Sequence, residues 1–463
     1  MAVACGPRSV AMVCKDGTLC EWDFASDAAV GLDQQSKIRT FSFAPVVQFA
    51  MSNNYQKHCV ALTVSGTVWT WGFSLFGRLG HDNHMDQVQP REIPRTWFGG
   101  SNAAFVSCGV YHTVVTTTVG VVWTFGYGYN GQLGTGVHGI GKVEYHPVCV
   151  DTLLGTHIVM AVAGKTHTVA VSLEGKVWTW GSNCDGQLGV HVQEEDTQRD
   201  KVLPTPVLGL PYAVASVSAS ESNTIAVTHN GNMFVWGSNE YGQIGIDSVS
   251  LFFKPTMVRL GPDGHEVLMA ASSKFNVPGD EPAVAAGHVV LMTASSRFYS
   301  IAVTTSGDVW WGGRGSPEDN THNNHYKSKW TCIPHSLFGT SKIVTASIDG
   351  VVNALAVDAE GHVYSWGFGR TPYPWRDTKP EDIPGIPIRL ELELESLGFV
   401  GPWAVLPRAH TLAFVMGTHH RLGVSTGHLQ QLPSELLQRI IETVNGAGVW
   451  QQNGVKRLLG GPV

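Results

Sequence analysis

The stretch Gly175-Lys-Val-Trp-Thr-Trp-Gly-Ser-Asn-Cys-Asp-Gly-Gln-Leu-Gly189 decides the fold, because it recurs along the chain at nearly constant spacing. Close copies open at Gly66, Gly120 and Gly231, and divergent ones at Gly17, Gly307 and Gly361. Successive opening glycines lie 49, 54, 55, 56, 76 and 54 residues apart, so seven units of one size follow each other and a single interval carries a long insertion. Before each copy runs a second stretch of alternating, β-branched residues, such as 161–171, and in five of the seven a Glu-Gly, Asn-Gly or Ser-Gly pair joins the two runs. Glycine there supplies the positive φ that a tight hairpin needs, so each unit opens with a hairpin and has the length of a four-stranded blade. Ten of the fifteen tryptophans fall inside the motif, where a broad ring fills the wedge between neighbouring sheets. The closing Gly-Gln-Leu-Gly reads as a turn at which adjacent backbones approach closely, with the leucine packed between them.

Seven spaced copies of this motif resemble the regulator of chromosome condensation repeat family, over about residues 1–417. The resemblance implies an all-β fold, a seven-bladed β-propeller. A final half-repeat, from Trp403 to Val415 and including His410, has no Gly-x-Val-Trp partner. Its pairing with an N-terminal strand is expected to close the ring and remove exposed edges. Residues 1–417 are thus expected to form the propeller, and 418–463 a short C-terminal helical tail.

Seven blades account for nearly all of the 463 residues, and no second large domain is required. A net charge of −7 with 14% charged residues gives no basic field for nucleic acid, so direct nucleic-acid binding is not expected and a basic partner suits the chain better than an acidic one. The eight cysteines show no Cys-x-x-Cys spacing and read as reduced thiols of an intracellular protein, in cytoplasm or nucleus. Arg8 and Lys15 interrupt the N-terminal apolar stretch and no apolar run of membrane-spanning length occurs elsewhere, so secretion and membrane insertion are not expected.

Propellers place function on the loops of a rigid ring. Three segments stand out as partner contacts against the alternative of tolerated surface insertions: 245–290 with Phe252 and Phe253, the polar stretch 314–330, and the Pro-rich 370–387 with Tyr373 and Trp375. Exchange-factor members of the family carry acidic residues in the loop before the His-Thr strand. The matching windows here, Gly109-Val-Tyr-His112-Thr113 and Gly164-Lys-Thr-His167-Thr168, hold no carboxylate, and Glu221 and Asp349 are the acidic substitutes in other blades. Light-sensing members stack tryptophans at these windows, where this chain has Val110 with Tyr111 and Lys165 with Thr166. Recurrence of His112, His167 and His410 at one repeat position points to a structural hydrogen bond rather than to catalysis. Gly126–Gly131 and Gly423–Gly427 match a dinucleotide fingerprint and a nucleophile elbow only as strings, without the helix that either chemistry requires. The His81/His84 and His322/His325 pairs do not make a four-ligand set, so no metal or other cofactor is expected.

In the tail, Leu432, Leu436, Leu437, Ile440 and Ile441 fall on one helical face behind Pro433. This string resembles the opening of an F-box, the helical module that docks a substrate receptor on a Skp1-like adaptor of a ubiquitin ligase. The alternative is a helix that packs on the propeller or on a second copy. Two classes of function follow. One is a non-enzymatic interaction scaffold, linked to a ubiquitin ligase through the tail; the other is a guanine nucleotide exchange factor for a Ran-like small GTPase, or a histone-binding protein.

Overall fold

In the computed structural model, every opening glycine of the repeat has φ between 74° and 94°, and each joins two antiparallel strands in the expected hairpin. The structure describes residues 2–389 without 7–8, 15–16, 24–36, 42, 53–55, 191–199, 247–250, 259, 261–266, 271–289, 296–298, 314–329, 334, 340, 349–352 and 368–387. Residues 390–463 are outside the described part. Backbone contacts divide the chain into Met1–Phe399 and Val400–Val463, and all described residues belong to the first unit.

Those residues form seven antiparallel sheets, the blades of a β-propeller. Blade 3 is typical: Ala103–Cys108, His112–Thr117, Val122–Tyr127 and Val143–Cys149, in that order from the ring centre outward. The second strand is buried at every position, which explains its continuous Val- and Thr-rich character. The third pairs with the fourth across a register shift at the Trp-Gly or Phe-Gly step in blades 2 to 5, a bulge that glycine permits.

First strands pack side by side around the axis, from Ala2–Gly6 of blade 1 to Ile343–Ile348 of blade 7. The ring closes among the described residues where Ala2–Gly6 lies beside Ile343–Ile348 and Asn353–Asp358. Ala2–Gly6 pairs with Ser9–Val13 of its own blade; the run 403–415 expected to add to it lies outside the described residues, as do the boundary at 417 and the helical tail.

The insertion between 245 and 290 differs from the loop expected. Leu251–Val258 is the fourth strand of blade 5, Gly237 opposite Phe252, and Val267–Ala270 adds a fifth strand at its outer edge. The open backbone groups of the outer strand take a further partner there, Thr256 opposite Ala270 and Val258 opposite Val267. Among the described residues no helix is long and apolar enough to cross a membrane.

Candidate partner-binding face

The seams between blades are built from the repeat's own residues. Trp180 is fully buried and packs on Val114 and Val122 of blade 3 as well as on Ala161 and Ala170 of its own blade, the wedge that the tryptophan count implied. Leu79, Leu133 and Leu188, from the closing turns, are wholly buried. A Cβ on Gly134 would fall 2.7 Å from Trp180 Nε1, and one on Gly189 2.8 Å from Trp236 Nε1, so these turn positions require glycine for close approach as well as for their φ of 73° and 65°.

A histidine, a threonine and a carbonyl fasten each of three seams. His58 Nε2 lies 3.0 Å from Thr113 Oγ1, His112 Nε2 2.8 Å from Thr168 Oγ1, and His167 Nε2 3.0 Å from Thr224 Oγ1. Each threonine hydroxyl donates in turn, at 2.8 Å, to the carbonyl of Arg78, Gln132 or Gln187 in the preceding blade's closing turn. A carbonyl only accepts, so the single hydroxyl proton is committed and the threonine oxygen must accept from the histidine. Nε2 therefore carries the imidazole proton and Nδ1 a lone pair. Burial holds all three rings neutral: His112 and His167 are pushed down to about 3, and His58 well below its ordinary value with help from the nearby Arg78 charge. The carbonyls of Gln132 and Gln187 also accept the indole N–H of Trp180 and Trp236, both at 2.9 Å.

Because neighbouring strands are antiparallel, the connections between first and second strands share one face of the ring with those between third and fourth. On this face blade 2 departs from the repeat. In blades 3 to 5 the glutamine of the closing turn accepts the N–H of the residue two positions earlier: Gln132 from Asn130, Gln187 from Asp185 and Gln243 from Tyr241, at 2.8–2.9 Å. Blade 2 has Arg78 there, which has no acceptor to offer. Phe76, two positions earlier, adopts φ 61° and ψ 26°, a left-handed conformation that costs a bulky residue about 1–3 kcal/mol.

The buried Arg78 guanidinium instead binds three connections together, donating from Nε to Phe73 O at 3.0 Å, from Nη1 to Val110 O at 2.8 Å and from Nη2 to Gln56 O at 2.6 Å. Its removal from water lowers it to about 10, still charged at neutral pH. The turn that carries Phe76 docks on the outer strand of blade 3, and Phe76 stacks on Tyr127 with ring centres 4.4 Å apart. Tyr111 meets both rings edge-on, and Tyr129 lies parallel to Tyr127 at 5.9 Å. Tyr129 O accepts the N–H of Gly139, which brings the loop bearing Val137 and Ile140 alongside. The result is an apolar ledge in which Phe73, Leu75, Tyr129 and Val137 are 41–50% exposed and Ile140 is 96% exposed. A Lys142–Glu144 pair at 2.5 Å stands next to it, and a Lys165–Glu221 pair at 2.9 Å lies on the same face at the seam of blades 4 and 5.

Of the residues singled out in the sequence, Glu221 is on this face, with its carboxylate already paired to Lys165. Phe252 is half-buried and packs on the core cluster of blades 5 and 6, and Phe253 is half-buried in the same strand. Asp349, Tyr373, Trp375, Leu432, Pro433, Leu436, Leu437, Ile440, Ile441 and His410 lie outside the described residues. His112 and His167 make the structural bonds expected of them. His58 was missed because Cys59 follows it where the other copies have threonine. His81 is held 2.9 Å from Thr70 Oγ1 and pushed down to about 4 by burial. Asp358, Glu360 and His362 come close enough to ligate a metal, yet Asp358 Oδ1 accepts the N–H groups of Glu360 and His362, which makes it the cap of a hairpin.

Comparison with known proteins agrees with this architecture. A family model described as the RCC1-like domain matches residues 1–278. The chain is 30% identical over 270 residues to the Ultraviolet-B receptor UVR8 of Arabidopsis thaliana, over 57% of this chain and 58% of the receptor. It is 28% identical over 284 residues to the human E3 ubiquitin-protein ligase HERC2, over 58% of this chain and 6% of the ligase. The match thus spans little more than half of one relative and a small part of the other. Among solved structures, human WBSCR16 superimposes with a TM-score of 0.57 at 18% identity, over 74% of this chain and 82% of that one. Prp20p from Saccharomyces cerevisiae does so with a TM-score of 0.56 at 23% identity, over 75% and 77%. With seven blades and a family match over more than half its length, the chain belongs to the RCC1-like domain family.

Proposed function

We propose that this chain is a non-enzymatic interaction scaffold of the cytoplasm or nucleus, and that it holds a protein partner on the ledge of blades 2 and 3. The observation that carries the reading is a strained Phe76 whose ring joins an exposed aromatic and aliphatic surface, fastened from beneath by Arg78. Backbone strain of this kind persists where the surroundings enforce it, and exposed large apolar side chains gathered on one face suit a contact site. Tyr129→Ala with Ile140→Asp should leave the thermal midpoint nearly unchanged and remove the captured partner from an affinity pull-down read by mass spectrometry. Retention of every partner by that variant would end the proposal.

Two finer readings are open to direct test. The Leu432–Ile441 string, as an F-box-like helix, would present the propeller's cargo to a Skp1-like adaptor, and Leu436→Asp with Ile440→Asp would abolish that binding. The second reading takes its support from Prp20p, whose binding to Gsp1p and histones was studied with its structure. Nucleotide release from a Ran-like GTPase, timed with and without the full chain, tests it; release at the unassisted rate excludes exchange activity. Glu221, paired to Lys165, is the carboxylate whose replacement by Gln would probe this reading.

A further inference from the structure

Six blades cap the hairpin between second and third strands in the same way. Thr63, Thr117, Ser172, Thr228, Thr304 and Asp358 each present a side-chain oxygen that accepts the N–H four residues on, at 2.8–3.3 Å. Two strand positions beyond that N–H the same blades carry an aromatic residue, from Trp69 in blade 2 to Tyr364 in blade 7. Blade 1 breaks both habits at once, with Cys14 at the oxygen position and Cys20 at the aromatic one.

The hairpin geometry brings these two departures together. Cys14 N–H donates to Thr18 O at 2.7 Å, and Met12 stands opposite Cys20, so Cys14 and Cys20 are diagonal neighbours on one face of the pair. Their sulfurs are 3.7 Å apart. Cys20 is buried and Cys14 partly exposed, an arrangement in which one sulfur meets an oxidant from solvent and the other waits beside it.

We infer that Cys14 and Cys20 form a reversible disulfide when the protein meets hydrogen peroxide, a modification site confined to blade 1. The Cys14 thiolate attacks one peroxide oxygen, the O–O bond breaks, and hydroxide leaves a sulfenic acid on Cys14. The Cys20 sulfur then attacks the Cys14 sulfur, the S–O bond breaks, and a second hydroxide departs with the S–S bond formed. Two thiols and one peroxide give one disulfide and two waters. A dithiol reductant restores both thiols by exchange. Such transient pairing is the form that disulfides take in a reducing compartment.

Peptide mapping of the folded full-length chain tests this. After peroxide treatment and alkylation, trypsin cleaves at Arg8, Lys15 and Lys37, so Cys14 and Cys20 fall on separate peptides, 9–15 and 16–37. The expected product is those two peptides linked, two hydrogens lighter than their sum, with loss of alkylation at both cysteines and recovery after dithiothreitol. Cys14→Ser, which restores the oxygen cap of the other blades and should fold, must lose the link; Cys184→Ser, at an exposed thiol elsewhere, must keep it. Full alkylation of Cys14 and Cys20 after peroxide, or Cys14 carried to sulfinic acid with no linked peptide, would overturn the inference.

Discussion

The seams from blade 2 to blade 5 and the seam from blade 5 to blade 6 share one backbone plan and differ in what fastens them. In the first group a neutral histidine, a threonine and a turn carbonyl form a complete relay. At the other, Asn223 takes the histidine position and Ser300 the threonine position. Neither the Asn223 side-chain amide nor the Ser300 hydroxyl makes a hydrogen bond among the described residues. Asparagine is too short to span a gap sized for imidazole, so the polar groups remain while the bond does not. The difference teaches that ring geometry is set by backbone and apolar packing, and that the relay adds polar satisfaction where the side chain is long enough.

The largest effect that separates the two kinds of seam is acid sensitivity. An unfolded histidine binds a proton near pH 6.5, whereas the folded His112 and His167 resist to about 3. The unfolded state therefore binds more protons in that window, so their contribution is complete above pH 6.5 and is lost as pH falls. With His58 included, stability should drop by about 4 kcal/mol per pH unit at the steepest point. Urea unfolding at pH 7, 6 and 5 reads the slope, and it should become shallower in the double variant His112→Gln, His167→Gln.

Trp180→Ala at the seam of blades 3 and 4 should cost about 3–5 kcal/mol at neutral pH. Trp180→Phe, which keeps the wedge but loses the N–H to Gln132, should cost about 1 kcal/mol. That variant copies the neighbouring seam, where Phe125 fills the wedge without an N–H. His112→Ala should cost about 2 kcal/mol and Asn223→Ala distinctly less, because only the first breaks a relay; equal losses would show that the relay carries no weight. The smallest change rebuilds what is missing: Asn223→His with Ser300→Thr should raise the urea midpoint by the equivalent of about 1 kcal/mol.

Much of this was legible in the chain itself. The spacing of Gly66, Gly120, Gly175 and Gly231 fixed blade number and hairpin position, because tight turns admit few residues and periodicity repeats the test. The histidine relay was half visible, since His112-Thr and His167-Thr advertise it and His58-Cys does not. The ledge was not visible. Phe76 lies far along the chain from Tyr127 and Tyr129, and only the docking of one blade's turn on the next blade's outer strand brings the rings together. The available signal was Arg78 in place of the motif glutamine, a departure whose meaning depends on which N–H the glutamine serves. Phe252 and Phe253 read as part of a loop because nothing local in an insertion announces a sheet edge, and the structure puts them in the fourth strand of blade 5, half-buried.

The meeting of Ala2–Gly6 with Ile343–Ile348 bears on biosynthesis. Every other seam joins stretches about one repeat apart, which can pack soon after leaving the ribosome. Gly6 and Ile343 are 337 positions apart, and bringing them together costs about 1.5 kcal/mol more chain entropy than closing a single repeat. Until blade 7 is synthesised, blades 1 to 6 form an open arc in which the flank of blade 1 still lacks its neighbour. That flank is where a chaperone would be needed longest.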